Sequence, residues 1–87
     1  MFFTVNDEYY KVGTVKFDNI EDVKKFISFI FKYPDEYYLM SGRYIVSAKS
    51  IMGIFSLDLS KPINFVSEKL VTEEFLEEFK KENFKKE

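Results

Sequence analysis

The chain contains no cysteine, no histidine and no tryptophan, and its 87 residues include only three glycines and two prolines. Without cysteine there are no disulfides, thiolate ligands or thiol nucleophiles, which excludes a disulfide-stapled secreted module and fits a reducing cytoplasm. Without histidine the commonest general base, metal ligand and phosphoryl acceptor is missing, so most catalytic schemes lose their central group. The start, MFFTVNDEYY, has no cationic stretch leading into an apolar one, and no apolar run approaches the roughly 20 residues of a membrane span. Neither export nor membrane insertion is expected. No metal set, glycine-rich phosphate loop or nucleophile-base pair is visible, so no cofactor and no enzymatic activity are expected.

Charge of one sign is also lacking, with 13 Lys+Arg against 15 Asp+Glu and a net charge of −2. Nucleic-acid binding rests on basic residues neutralising phosphates, so that partner class is set aside. What the chain does have is core material: 46% of its residues are hydrophobic, and 11 Phe with 6 Tyr supply the aromatics. One folded domain over residues 1–87 is expected, without internal boundary or repeat.

The segment through Phe17, rich in Phe, Tyr, Val and Thr and broken by Gly13, reads as one or two strands. Asn19 is placed to cap a helix. Glu21 and Asp22 follow in its first turn, and Val23, Phe26, Ile27 and Ile30 recur at helical spacing, so the helix is expected over about Ile20 to Lys32, stopped before Pro34. Glu36 to Met40, a turn at Ser41-Gly42, and Arg43 to Ser47 form an expected hairpin. Ser50 caps a short helix through about Phe55. Ile63 to Val66 forms a last strand, and Thr72 caps a final helix with acidic residues early, lysines late and Phe75, Leu76 and Phe79 on its apolar face. The expected fold class is α+β: a four-stranded antiparallel sheet with three helices on one face, in the order strand, helix, strand, strand, helix, strand, helix.

The stretch Ala48-Lys49-Ser50-Ile51-Met52-Gly53-Ile54-Phe55-Ser56-Leu57 closely resembles the regulatory serine segment of HPr, the phosphocarrier of the sugar phosphotransferase system. The similarity extends from about Val23 to the C terminus, and the element order just read is that of the family, an open-faced sandwich. Carried over without gaps, it places Asn19, within Asp18-Asn19-Ile20-Glu21-Asp22, where HPr proteins carry the phosphorylated histidine with its Arg and Pro. An Asn amide is not nucleophilic enough to replace an imidazole, and Glu21 beside Asp22 repels incoming phosphate, so no catalytic residue and no phosphate relay are expected. An acyl phosphate on Asp18 or Asp22 ranks below plain capping.

At Ser50 a cap alone accounts for the residue, while the resemblance implies phosphorylation by the bifunctional HPr kinase/phosphorylase, with Lys49 adjacent. In the helix that follows, Ile54 and Leu57 share one face, and Ile51, Met52 and Phe55 share another. The resemblance implies that this second face, together with Lys49, is a docking patch for a protein partner, either that kinase or a transcriptional regulator. The alternative is core, with Phe2, Phe3, Tyr9 and Tyr10 folded over it. Two functions therefore stand side by side. One is a catalytically silent, cytoplasmic, HPr-like regulatory protein; the other is an interaction domain of that fold with no phosphorylation. A monomer and a homodimer are both open.

Overall fold

Alternation of β-branched and aromatic residues builds the sheet, and amphipathic stripes build the helices that close one side of it. The computed structural model describes the backbone of residues 4–5 and all of residues 9–84. Strands β1 (Thr4–Val5) and β2 (Tyr9–Val15) lead to helix α1 (Ile20–Ile30). Strands β3 (Tyr37–Ser41) and β4 (Tyr44–Ser47), helix α2 (Ile51–Phe55), strand β5 (Ile63–Ser67) and helix α3 (Glu73–Glu82) follow. The strands lie in the order β1-β2-β5-β3-β4, and every neighbouring pair is antiparallel. Four strands carry the sheet. The two-residue β1 is an addition at the edge that composition left open as one strand or two.

All three helices feed one core. Val23, Phe26, Phe29 and Ile30 of α1, Ile54 of α2, and Phe75 and Phe79 of α3 meet Val15, Tyr37, Leu39, Ile63 and Phe65 from the sheet. Phe26 sits at the centre, its ring 5.2–5.3 Å from those of Phe17, Phe65 and Phe84, each in edge contact. Such pairs contribute about 0.5–1.5 kcal/mol each beyond the area they bury. On the opposite face, where Asn64 and Val66 of β5 point, no helix packs among the described residues.

Several expected boundaries move by one or two residues. Helix α1 ends at Ile30 with Phe31 as its cap, because the amides of Lys32 and Tyr33 close tighter turns onto the carbonyls of Phe29 and Ile30, three residues back, before Pro34 is reached. The hairpin turn is Gly42-Arg43, not Ser41-Gly42. Ser41 pairs with Tyr44, and Gly42 takes the positive φ of 62° that the first central position of such a turn requires. The strands are shifted accordingly to Tyr37–Ser41 and Tyr44–Ser47.

A bulge interrupts β2 between Lys11 and Gly13, and there the strand presses against α3. A Cβ at Gly13 would lie 2.8 Å from Phe79 Cε2, so an alanine cannot enter without moving a packed ring. Gly13→Ala is therefore expected to destabilise the fold by about 1–3 kcal/mol in denaturant titration. Combining it with Phe79→Leu should cost less than the sum of the two singles.

The ring of Tyr37 stacks on Phe75 with centroids 5.1 Å apart and planes 13° from parallel. Burial, helped by the Asp35 carboxylate and Tyr33, pushes the phenol from 10.0 up to about 12. Because the folded-state value is raised, the associated stability is complete below the unfolded value near 10 and is lost as pH climbs from there toward about 12. Denaturation midpoints should fall across that window, and Tyr37→Phe should flatten part of the slope.

Candidate functional site

Helix α2 has only five residues, and its placement follows from Ser50, Gly53, Ile54 and Leu57. Ser50 is its N-cap, with extended backbone and a side-chain oxygen that accepts from the Gly53 amide at 3.0 Å. Gly53 then meets the sheet: a Cβ there would stand 3.1 Å from Val46 Cβ, so the absence of a side chain lets the helix settle onto β4. Ile54 is fully buried in the core, and Leu57, one turn on, is buried beside it.

With that side inward, the other residues have nowhere to go but out. Ile51 is 39% exposed, Met52 80% and Phe55 43%. The alternative covering by aromatics fails for the residues that can be checked. Tyr9 packs edge-on against Tyr38, 5.2 Å away, on the helix-free face, and Tyr10 lies in β2 opposite Ser67, away from α2. Phe2 and Phe3 lie outside the described residues.

Lys49 does not stand ready beside the Ser50 hydroxyl as a loose cation. Its ammonium donates to the Tyr33 carbonyl at 2.8 Å and sits 5.8 Å from the ring centroid of Phe31, tying the start of α2 to the end of α1. This contact brings exposed Phe31 to the same end of the molecule as Ser50. Phe31 is a surface residue that spacing alone did not single out. It follows the last residue of α1 in helical backbone conformation, one turn after the half-buried Ile27.

Asn19 lies at the opposite end of α1, about 16 Å along the helix from its 11 residues at roughly 1.5 Å each. Its side-chain oxygen accepts from the Asp22 amide at 3.0 Å, and Asp22 in turn accepts from the Asp18 amide at 2.9 Å. These two bonds hold the helix start and account for Asn19 and for the near-complete burial of Asp22. The acceptor role of Asp22 carries a sequence signal, a carboxylate three residues after the cap. The connection from β2 to α1 is the four residues 16–19, short enough that Lys16 bonds directly to the Phe84 carbonyl. The structure thus does not bring Asn19 and Ser50 together.

Among the described residues no group of three or more His, Cys, Asp or Glu is placed to hold a metal ion. None of their helices is long and apolar enough to cross a membrane. What the α2 site offers chemically is one hydroxyl at a helix start, followed along the helix by three exposed apolar side chains. No family model, curated protein or solved structure matches the chain.

Replacing the cap separates its structural role from any other. Ser50→Ala should cost about 1 kcal/mol in thermal unfolding and speed hydrogen exchange at the Gly53 amide, while Ser50→Asn, which can cap as well, should restore both. Equal stability of all three proteins would mean that the Ser50 to Gly53 bond does not hold the helix start.

Proposed function

We propose that this chain is an HPr-like regulatory docking protein that binds a protein partner through the outer face of α2 and carries no phosphate relay. The observation that carries the reading is the exposure of Ile51, Met52 and Phe55 around a capped Ser50, while Ile54 alone of the helix is fully buried. A monomeric protein gains nothing by leaving three large apolar side chains on one short helix in water, and such clusters mark contact surfaces. The likeness of Ala48 to Leu57 to the HPr serine segment supports the same reading. So does the sequence of elements from β2 to α3, which follows the order the resemblance implies.

In this reading the protein works in the cytoplasm, and its partner is the HPr kinase/phosphorylase or a transcriptional regulator. The kinase moves the γ-phosphoryl of ATP to Ser50 Oγ; the hydroxyl proton leaves and ADP is released. The new group adds a charge of about −2 beside the apolar face and changes docking locally, without altering the fold. Relay through the other site is not available. Asn19 supplies an amide whose oxygen is already engaged in capping, with Glu21 and Asp22 in the turn that would receive phosphate.

A second reading keeps the docking face and drops the phosphorylation. It is favoured by Lys49, whose ammonium is committed to Tyr33 and Phe31 rather than to the Ser50 hydroxyl.

Two variants test the first reading. On incubation with HPr kinase and ATP the unsubstituted chain should gain one phosphate by intact mass, and Ser50→Asn should gain none. Met52→Glu should weaken capture of the kinase while leaving the melting temperature nearly unchanged, because the side chain is mostly in solvent. No mass gain on the unsubstituted chain removes the phosphorylation. A large loss of stability in Met52→Glu removes the docking face.

A further inference from the structure

The sheet ends at β4, and the outer side of that strand has no partner strand among the described residues. Which of its backbone groups face outward follows from the register. In a two-residue hairpin the flanking residues exchange both hydrogen bonds, and bonding alternates from there. Ser41 with Tyr44 and Leu39 with Val46 are then the bonded pairs, and the Ala48 amide bonding to the Tyr37 carbonyl at 2.9 Å continues the same series. The backbone groups of Ile45 and Ser47 therefore point away from the sheet. The Ser47 carbonyl is taken by the Ser50 amide, which leaves the Ile45 N–H and C=O as a matched donor and acceptor at the centre of the edge.

Edges of this kind are normally blunted by a charge, a proline or a bulge. Between Tyr44 and Ser47 there is none of these. Tyr44 is 68% exposed and Ile45 39%, and α2, with its apolar outer face, lies over the same strand.

We infer that β4 pairs with β4 of a second copy of this chain, antiparallel about a two-fold axis through Ile45, so that one sheet runs through both copies and the two α2 helices flank the axis. The inference rests on the reading of the α2 face as a docking surface and adds a second copy of this chain, met along the adjoining strand edge, to the partners of that end of the molecule. The register is set by the backbone. Ile45 opposite Ile45 exchanges the two free hydrogen bonds, and it places Tyr44 opposite Val46, residues of the same sheet face and a favourable aromatic and β-branched pair. Shifting by one residue would put opposite faces together; shifting by two one way would require the Ser47 carbonyl already in use, and the other way would set Ile45 against Arg43 of the turn. Tyr44, Ile45, Ile51, Met52 and Phe55 expose on the order of 500 Å² per copy, taking about 150–250 Å² for a large side chain. A standard interface has about 800 Å² per partner, so the dimer is a weak one that forms with concentration.

Sedimentation velocity of the full chain over a dilution series reaching the millimolar range tests this, and a monomer–dimer equilibrium is expected. Ile45→Pro removes only the outward amide, leaving the bonds to β3 intact, and should weaken association at least about tenfold with the fold retained by circular dichroism. Ile45→Lys sets two like charges face to face at the axis and should do the same, which keeps the test decisive if the proline variant fails to fold. A chain that stays monomeric at every concentration overturns the inference, as does a dimer that both variants leave unchanged. Neither result alters phosphate uptake at Ser50 or the stability of Met52→Glu, so loss of the dimer is distinguishable from loss of the docking reading.

Discussion

The packing of aromatic rings around Phe26 is the constraint on which the other placements depend. Its ring meets Phe17 from the β2 to α1 connection, Phe65 from the central strand and Phe84 beyond α3. Phe29 extends the cluster to Phe75 and Phe79. These contacts fix α1 and α3 over β2, β5 and β3. With that ground occupied, α2 is left over β4 at the end of the sheet, where Val46 accepts Gly53 and the core accepts Ile54. A five-residue helix in that position has one residue to give to the core, and its remaining apolar residues become surface. The exposed face is a consequence of helix length and site, which is why it can be argued from physics without reference to any relative.

The parts of the fold governed by local chemistry were readable before any coordinates. Asn19, Ser50 and Thr72 are all N-caps whose side chains accept from the amide three residues on, because a short polar side chain before an apolar run has little else to satisfy it. The split of α2 into Ile54 and Leu57 against Ile51, Met52 and Phe55 also follows from spacing alone. What was less legible depended on how turns close and on partners distant in sequence. The turn at Gly42-Arg43 is set by pairing of Ser41 with Tyr44, and the end of α1 by the amides of Lys32 and Tyr33 bonding three residues back. Lys49 looked like a free cation beside Ser50 because its anchor, the Tyr33 carbonyl, lies 16 residues away. The unpaired edge at β4 needed the strand order, which element order does not determine.

In the proposed reading, one end of α1 is only a capped helix start, and the other adjoins a protein-contact surface. At Asn19 the side-chain oxygen is engaged in holding the helix start, in a turn whose acidic residues disfavour phosphate. At Ser50 the cap leaves apolar neighbours free to make contacts, and the adjoining strand edge offers backbone hydrogen bonds in register with themselves. Function in this reading resides in what α2 and β4 present to other molecules, and the hydroxyl of Ser50 is a means of changing it.

Methionine oxidation tests that claim most directly, because Met52 and Met40 sit at opposite extremes of exposure within one fold, 80% against 8%. Hydrogen peroxide converts accessible thioethers to sulfoxides, and the positions are resolved by peptide mass. In dilute solution, where self-association is absent, the account predicts rapid conversion of Met52 and slow conversion of Met40, the latter limited by opening of the sheet. Protection of Met52 to the level of Met40 under those conditions would show that the outer face of α2 is covered within the chain itself, and would contradict its role as a docking surface.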